Sequence, residues 1–285
     1  MRILLGVILI GVGLFLLFVT VSPITSLKAV KIGETLTTEV VPYDSLVFSS
    51  KSVDWEFESG DYESMSIELV HHRKNVKIRS KERNGTLEIE VDEPRFHFFR
   101  FGHRTKALVT LPNTYSGDID IGSVSGSIGL KGQYTLGDVN VKSVSGDIFS
   151  DTVTSESIMV KTTSGDIDYK KLVASEKIML ESVSGDIVAD SVIGPVDGKT
   201  VSGDIDLRFD EENKRIQLNT VSGDVDIHVR NGNADLDLQT VSGDIHMGHL
   251  PQARLKAKKF TGLLGEGQYP LIIKTTSGDI RIHER

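Results

Sequence analysis

The tripeptide Ser-Gly-Asp recurs from residue 116 to residue 279, and its spacing constrains the fold more than any other feature. Copies stand at Ser116-Gly117-Asp118, Ser145-Gly146-Asp147, Ser164-Gly165-Asp166, Ser184-Gly185-Asp186, Ser202-Gly203-Asp204, Ser222-Gly223-Asp224, Ser242-Gly243-Asp244 and Ser277-Gly278-Asp279. A further copy, Ser125-Gly126-Ser127, lacks the acid. From Gly126 the glycines step by 20, 19, 20, 18, 20 and 20 residues and then by 35. The long last step reads as hiding a worn copy at Thr261-Gly262-Leu263. A fixed period near 20 residues marks a stacked-repeat architecture.

Each unit runs apolar-x-apolar-x, Thr or Ser, Val or Thr, Ser-Gly-Asp, then apolar-x-apolar, as in Ile216 to Val229. Alternation with period two on both sides of a glycine turn predicts two short strands, each with one buried face. So short a unit cannot bury that face alone, but stacked coils bury a continuous core. The expected fold is all-β, a right-handed parallel β-helix or β-solenoid of about 20-residue coils. About eight coils at roughly 4.8 Å each predict a rod near 40 Å long. In the turns, Gly is expected to supply a positive φ, while Ser and Asp bond nearby backbone amides. Stacking would align Thr162, Ser182, Thr200, Thr220 and Thr240 into a hydroxyl ladder along one edge.

Ahead of the repeats, residues 30 to 115 are also rich in alternating stretches, including 53–57 and 86–91. They predict irregular first coils or a small β cap that shields an open end of the stack. Trp55 reads as core. At the start of the chain, Ile3 to Val21 is an uncharged run of 19 residues, close to the roughly 20 that span a bilayer as a helix. A cleaved signal peptide fits less well, because the small-x-small triplet Thr20-Val21-Ser22 is followed at once by Pro23. The expected organisation is an anchor with a short cytoplasmic tail over 1–22, a membrane-proximal β-rich cap over 23–115, and a solenoid over 116–285. Because a short amino-terminal tail usually stays inside, the bulk of the chain is placed outside a cell membrane crossed once.

Composition removes other classes. Without cysteine there is no disulfide framework, thiolate metal site or catalytic thiol. The net charge of −8 arises wholly after residue 115: residues 1–115 carry 14 basic and 14 acidic side chains, and residues 116–285 carry 18 and 26. An acidic repeat with no basic tail argues against a nucleic-acid partner. No glycine-rich phosphate loop opens a helix, so no nucleotide is expected either.

The anchor, the Ala-x-Val-x-Leu-Pro strand at Ala107 to Pro112, and the Ser-Val-Ser-Gly-Asp-Ile units at Ser143 to Ile148 and Ser182 to Ile187 resemble the bacterial family of putative-adhesin β-solenoids. The chain is most similar to its LiaG-like membrane-anchored members. The resemblance covers residues 30 to 285. It implies a cell-surface solenoid of Gram-positive bacteria, connected with cell-envelope stress responses, and it carries over no catalytic residue.

Three groups invite a chemical reading. The turn acids Asp118, Asp147, Asp166, Asp186, Asp204, Asp224, Asp244 and Asp279 would stack as carboxylates, and calcium could relieve their repulsion. Calcium-binding β-rolls, however, use a nine-residue period, and an Asp bonded to backbone amides needs no metal. Polysaccharide lyases and hydrolases on β-helices use paired carboxyls, but acids lie near one another throughout this chain and the coils from 143 to 247 are nearly interchangeable. The histidines, including His71-His72, His97 and His103, form no metal-ligand spacing. Residues 95 to 104, with Phe96, Phe98, Phe99 and Phe101 interleaved with arginine and histidine, could meet lipid headgroups, sugars or a partner, although a buried strand accounts for them more simply. No catalytic, cofactor-binding or metal residue is therefore expected.

The reading that emerges is a membrane-anchored, extracytoplasmic, non-catalytic adhesin-like solenoid. Its expected partners are the membrane itself and cell-wall polymers or membrane proteins of an envelope stress response. The alternatives are a polysaccharide-acting β-helix enzyme and a membrane-tethered regulator of a signalling complex.

Overall fold

The computed structural model describes residues 28–70, 76–93, 105–248, 254–255 and 258–284. The expected membrane segment at 3–21, the pair His71-His72 and the aromatic-basic stretch at 95–104 lie outside the described residues. Among the described residues no helix is long and apolar enough to cross a membrane.

The described chain is all strand and turn, with twenty-five strands hydrogen-bonded into one continuous system. Two long ladders face each other across the core. The first stacks, in spatial order, Lys28–Gly33, Lys77–Arg83, Thr86–Asp92, Ser45–Ser50, Asp118–Ser123, Val139–Ser143, 158–161, 178–181, Val196–Lys199, Ile216–Asn219, 271–274, 234–239 and Lys259–Leu264. The second stacks Thr35–Thr38, Met65–Val70, Lys106–Pro112, Asp54–Gly60, 128–131, 148–150, 167–169, Ile187–Ala189, Ile205–Phe209, Val225–Val229, Ile280–Glu284, Ile245–Met247 and Arg254–Leu255. A short third face, 133–135 with 152–155, 171–174 and Val192–Ile193, closes the coils nearest the middle. With thirteen strands to a ladder, the rod is about 58 Å long at roughly 4.8 Å per strand. It exceeds the 40 Å expected because cap strands join the same stack.

Alternation along each strand explains this packing. In Ile205–Phe209 and Val225–Val229 every second residue is buried, and those residues meet their counterparts one coil away. The result is one unbroken core, running from Leu36 through Ile121, Ile158, Leu180 and Ile227 to Ile282. Fully burying one such side chain contributes about 1.5–3 kcal/mol, so the stack is stabilised rung by rung. Trp55 is core, as expected: it is 1% exposed, its ring lies 5.5 Å edge-on from Phe48, and its indole N–H donates to Ser50 Oγ at 2.9 Å.

Between residues 118 and 229 space follows sequence, each coil lying on the one before. At both ends it does not. The coil 45–60 sits between 86–112 and 118–135, although it precedes both in the chain. Likewise 269–284 fills the level between 216–229 and 234–247, although it follows both. Thr261-Gly262-Leu263 is consequently no worn repeat. It lies in Lys259–Leu264, which runs antiparallel to 234–239 and caps the stack. The 35-residue step arises because the chain builds this cap before returning to fill the level it had skipped.

Candidate functional site

Where each first-ladder strand passes to the second, the repeated turns stack into one edge of the rod. Its order is Gly126, Gly146, Gly165, Gly185, Gly203, Gly223, Gly278 and Gly243. The first copy, Ser116-Gly117-Asp118, is not part of it. It leads into Asp118–Ser123 from the second ladder and so lies on the opposite edge, where the chain jumps over the coil 45–60. There Asp118 Oδ1 accepts the Asp138 N–H at 2.8 Å, and the Tyr115 hydroxyl donates to the Asp118 carbonyl at 2.8 Å.

Glycine is required along the repeat edge for close approach, not for the positive φ expected. Of the stacked turn glycines only Gly278 has φ between +20° and +160°. A Cβ on Gly146, however, would come 2.0 Å from the Gly126 carbonyl oxygen, and one on Gly185 would come equally close to that of Gly165. The hydroxyls preceding the turns explain this tightness. Thr162, Ser182, Thr200 and Thr220 are buried and donate to the glycine carbonyl one coil back at 3.3 to 3.5 Å. Thr240 does the same to Gly278 at 3.0 Å. The expected hydroxyl ladder is present, buried and bonded to backbone.

The aspartates form a second ladder outside this one. Asp147 Oδ1 accepts the Asp166 N–H at 3.1 Å, Asp166 that of Asp186 at 2.9 Å, Asp186 that of Asp204 at 2.8 Å and Asp204 that of Asp224 at 2.7 Å. Asp224 then receives Asp279, and Asp279 receives Asp244, both at 2.8 Å. In the copy without the acid, Asp54 accepts the Ser127 N–H at 2.9 Å, but Ser127 has no carboxylate to offer the next rung. Two carboxylates about 5 Å apart in water repel by roughly 1 kcal/mol. A hydrogen bond to a charged group contributes about 1.5–3 kcal/mol, so each rung holds without a cation. Among the described residues no three or more His, Asp or Glu side chains are placed to hold a metal ion.

A less regular group lies on the outer face of the second ladder, where the late coil enters. Arg281 donates to Asp224 at 2.8 Å, Asp226 at 3.2 Å and Asp279 at 2.7 Å. Burial works to raise the pKa of Asp224, but the Asp279 N–H and the Arg281 guanidinium outweigh it and hold the carboxyl below its ordinary value. The His283 ring stacks on His228 with centroids 4.5 Å apart, and its Nε2 lies 3.3 Å from Asp226 Oδ1. Arg208 reaches Asp190 at 3.0 Å and Asp206 at 3.7 Å. Beside them opens a hollow of about 280 Å³, lined by Arg208, Phe209, Asp210, His228, Val229 and Arg230. Arg208 Nε and Asp206 Oδ1 are buried here without a hydrogen-bond partner.

The repeat register places Arg208 beside His228, but the 35-residue step concealed that His283 and Arg281 join them. Arg208, Arg281 and His283 each face a carboxylate. The arrangement presents mixed charge at the surface.

On the opposite outer face, Asp120 lies against Asn140 Nδ2 at 2.6 Å; burial raises its pKa, opposed by that bond and by Lys142. Near the cap, bonds from Lys106 and Lys131 lower the pKa of Glu56.

A family model described as Toastrack DUF4097 matches residues 43–283. Among solved structures, an adhesin from Bacteroides fragilis described as putative is 14% identical, with 88% of this chain and 97% of that chain covered at a TM-score of 0.46. A putative cell adhesion protein from Clostridium sporogenes is 11% identical, with 90% and 100% covered at 0.32. A putative lipid binding protein from Parabacteroides distasonis is 18% identical, with 87% and 96% covered at 0.42. No curated protein matches the chain.

Proposed function

The chain belongs to the Toastrack DUF4097 family, and from that premise we propose that it is a non-catalytic, adhesin-like solenoid that binds or scaffolds components of a bacterial envelope. The observation that carries this reading is the repetition of the exposed edge. Asp147, Asp166, Asp186 and Asp204 recur at one strand spacing, each beside an exposed serine, with the turn bonded internally to its neighbours. Such a surface offers many equivalent weak contacts to a polymer, and repeated contacts gain affinity through effective concentration. Catalysis needs instead one set of groups unlike its surroundings.

The finer reading is a LiaG-like protein held in the membrane by 3–21, with the rod outside the cell and engaged in an envelope stress response. The uncharged run at 3–21 supports the anchor, and the resemblance of the anchored repeat sequence supports the rest.

Extracellular protease added to intact cells is expected to digest the rod, and full protection until the membrane is broken would favour the tethered cytoplasmic regulator. The purified chain is expected to co-sediment with cell-wall polymers and to leave them intact. Release of reducing or unsaturated ends would establish the polysaccharide-acting enzyme.

A further inference from the structure

The level filled by the late coil is a slot for one pair of strands, and its walls are made before its occupant. The walls are Ile216–Asn219 with Val225–Val229 on one side, and 234–239 with Ile245–Met247 on the other. Residues 230–233 join these walls directly and span two strand spacings, with Asn231 in the left-handed region at φ 53°. The occupant arrives from the cap through residues 265–268.

The slot is selective. Leu271, Ile273, Ile280 and Ile282 are 0–2% exposed within it. A Cβ at position 278 would come 2.0 Å from the Gly223 carbonyl, so glycine is needed there. The Thr275 hydroxyl donates to that same carbonyl at 3.3 Å, the Gly278 N–H to the Ser242 carbonyl at 3.0 Å, and the Asp279 N–H to Asp224 at 2.8 Å. Arg281 and His283 close it on the outer face against Asp224, Asp226 and His228. A segment that fits must read apolar-x-apolar-x-Thr-x-Ser-Gly-Asp-apolar-x-apolar, and a second copy of this chain supplies it in the correct register.

We propose that the slot between 216–229 and 234–247 is an association site for a second copy of this chain, which inserts its own residues 269–284 in exchange. The exchanged coil makes the same contacts in either chain, so exchange costs mainly the turn at 265–268, where the Gly267 N–H donates to the Leu264 carbonyl at 3.3 Å, and the effective concentration of the tethered segment. An emptied slot exposes unpaired strand edges on both walls, and those edges favour capture of another strand. Two copies would be linked at the ends of their rods remote from residue 28. The inference stands whichever envelope component the repeat edge binds.

The absence of cysteine makes the test clean. Ser222 and Ser277 are bridge partners, and both are exposed. Full-length chains carrying Ser222→Cys or Ser277→Cys are mixed, opened in mild denaturant, returned to buffer at high concentration and treated with a short bismaleimide. The expected result is a mixed covalent dimer about tenfold above that from Ser184→Cys with Ser277→Cys, because Ser184 lies lower on the same edge. Adding Gly278→Ala to the Ser277→Cys chain should abolish it. The double variant Ser222→Cys, Ser277→Cys is expected to cross-link internally at low concentration. If it does so while the mixture gives no more dimer than the control, exchange is refuted. Failure of the internal cross-link would refute the slot itself.

Discussion

The middle of the rod and its two ends solve the same packing problem with opposite chain routes. From 118 to 229 each coil rests on its predecessor in sequence, and the four turns from Ser164-Gly165-Asp166 to Ser222-Gly223-Asp224 repeat the same hydroxyl, glycine and aspartate bonds. At the ends the stack must also stop, because an open parallel stack leaves unpaired strand edges. The chain stops it with antiparallel strands: Lys28–Gly33, Thr35–Thr38, Met65–Val70 and Lys77–Arg83 at one end, and Arg254–Leu255 and Lys259–Leu264 at the other. At both ends a coil distant in sequence fills the level beneath the outermost parallel coil. Repetition therefore makes the middle self-propagating, whereas the ends need specific, non-local closure.

Substitutions test that contrast. The largest effect is expected from Trp55→Ala, which empties an aromatic cluster with Phe48 and Phe57 and should cost about 3–5 kcal/mol. Hydrogen exchange should then rise in 45–60 and its neighbours before it rises in 158–199. Gly185→Ala strikes the middle instead. Its Cβ would meet a backbone carbonyl at 2.0 Å, so a loss of about 3 kcal/mol is expected in urea unfolding. Gly122→Ala, whose nearest neighbour is 3.9 Å away, should stay within about 0.5 kcal/mol and serves as its control.

A smaller loss, about 1–2 kcal/mol, is expected when Asp186→Ala removes one rung and leaves the Asp204 N–H without its acceptor. Unfolding midpoints of Asp186→Ala and Asp186→Asn separate loss of the acceptor from loss of charge. The smallest effect concerns pH at the late coil. Asp224 has a folded pKa below its unfolded value, so its contribution is present above the ordinary Asp range near pH 4 and is lost as pH falls through the lower folded value. Amide exchange of 271–284 should accelerate across that interval, and Asp224→Asn should remove the acid dependence.

Much of the middle is legible in the sequence, since a constant period forces constant neighbours. Strand alternation, the hydroxyl ladder and the bonded turn acids follow from the unit alone. The ends resisted for definite reasons. Asp118 carries the same tripeptide as the other turns, yet a tripeptide does not reveal whether the chain is passing toward or away from the second ladder. Thr261-Gly262-Leu263 keeps the repeat spacing, but strand direction is set by what lies beside it. The cluster of Arg208, His228, Arg281 and His283 is hidden for the same reason, because sequence distance places His283 nearly three repeat periods from its true neighbour His228. The glycines are legible as turn residues, but the cause at all of them except Gly278 lies in the stack alone: carbonyls one strand apart exclude a Cβ whatever the φ.

The order of levels at the far end is the most direct test of this account. In the cysteine-free chain, Ser222→Cys can be paired with Ser277→Cys or with Ser242→Cys, and disulfide formation measured in the folded monomer. Rapid closure is expected of 222 with 277, which are bridge partners, and none of 222 with 242, which lie about 9.6 Å apart across the late coil. Closure of 222 with 242 in place of 277 would mean that the coils stack in simple sequence order, and would contradict the account.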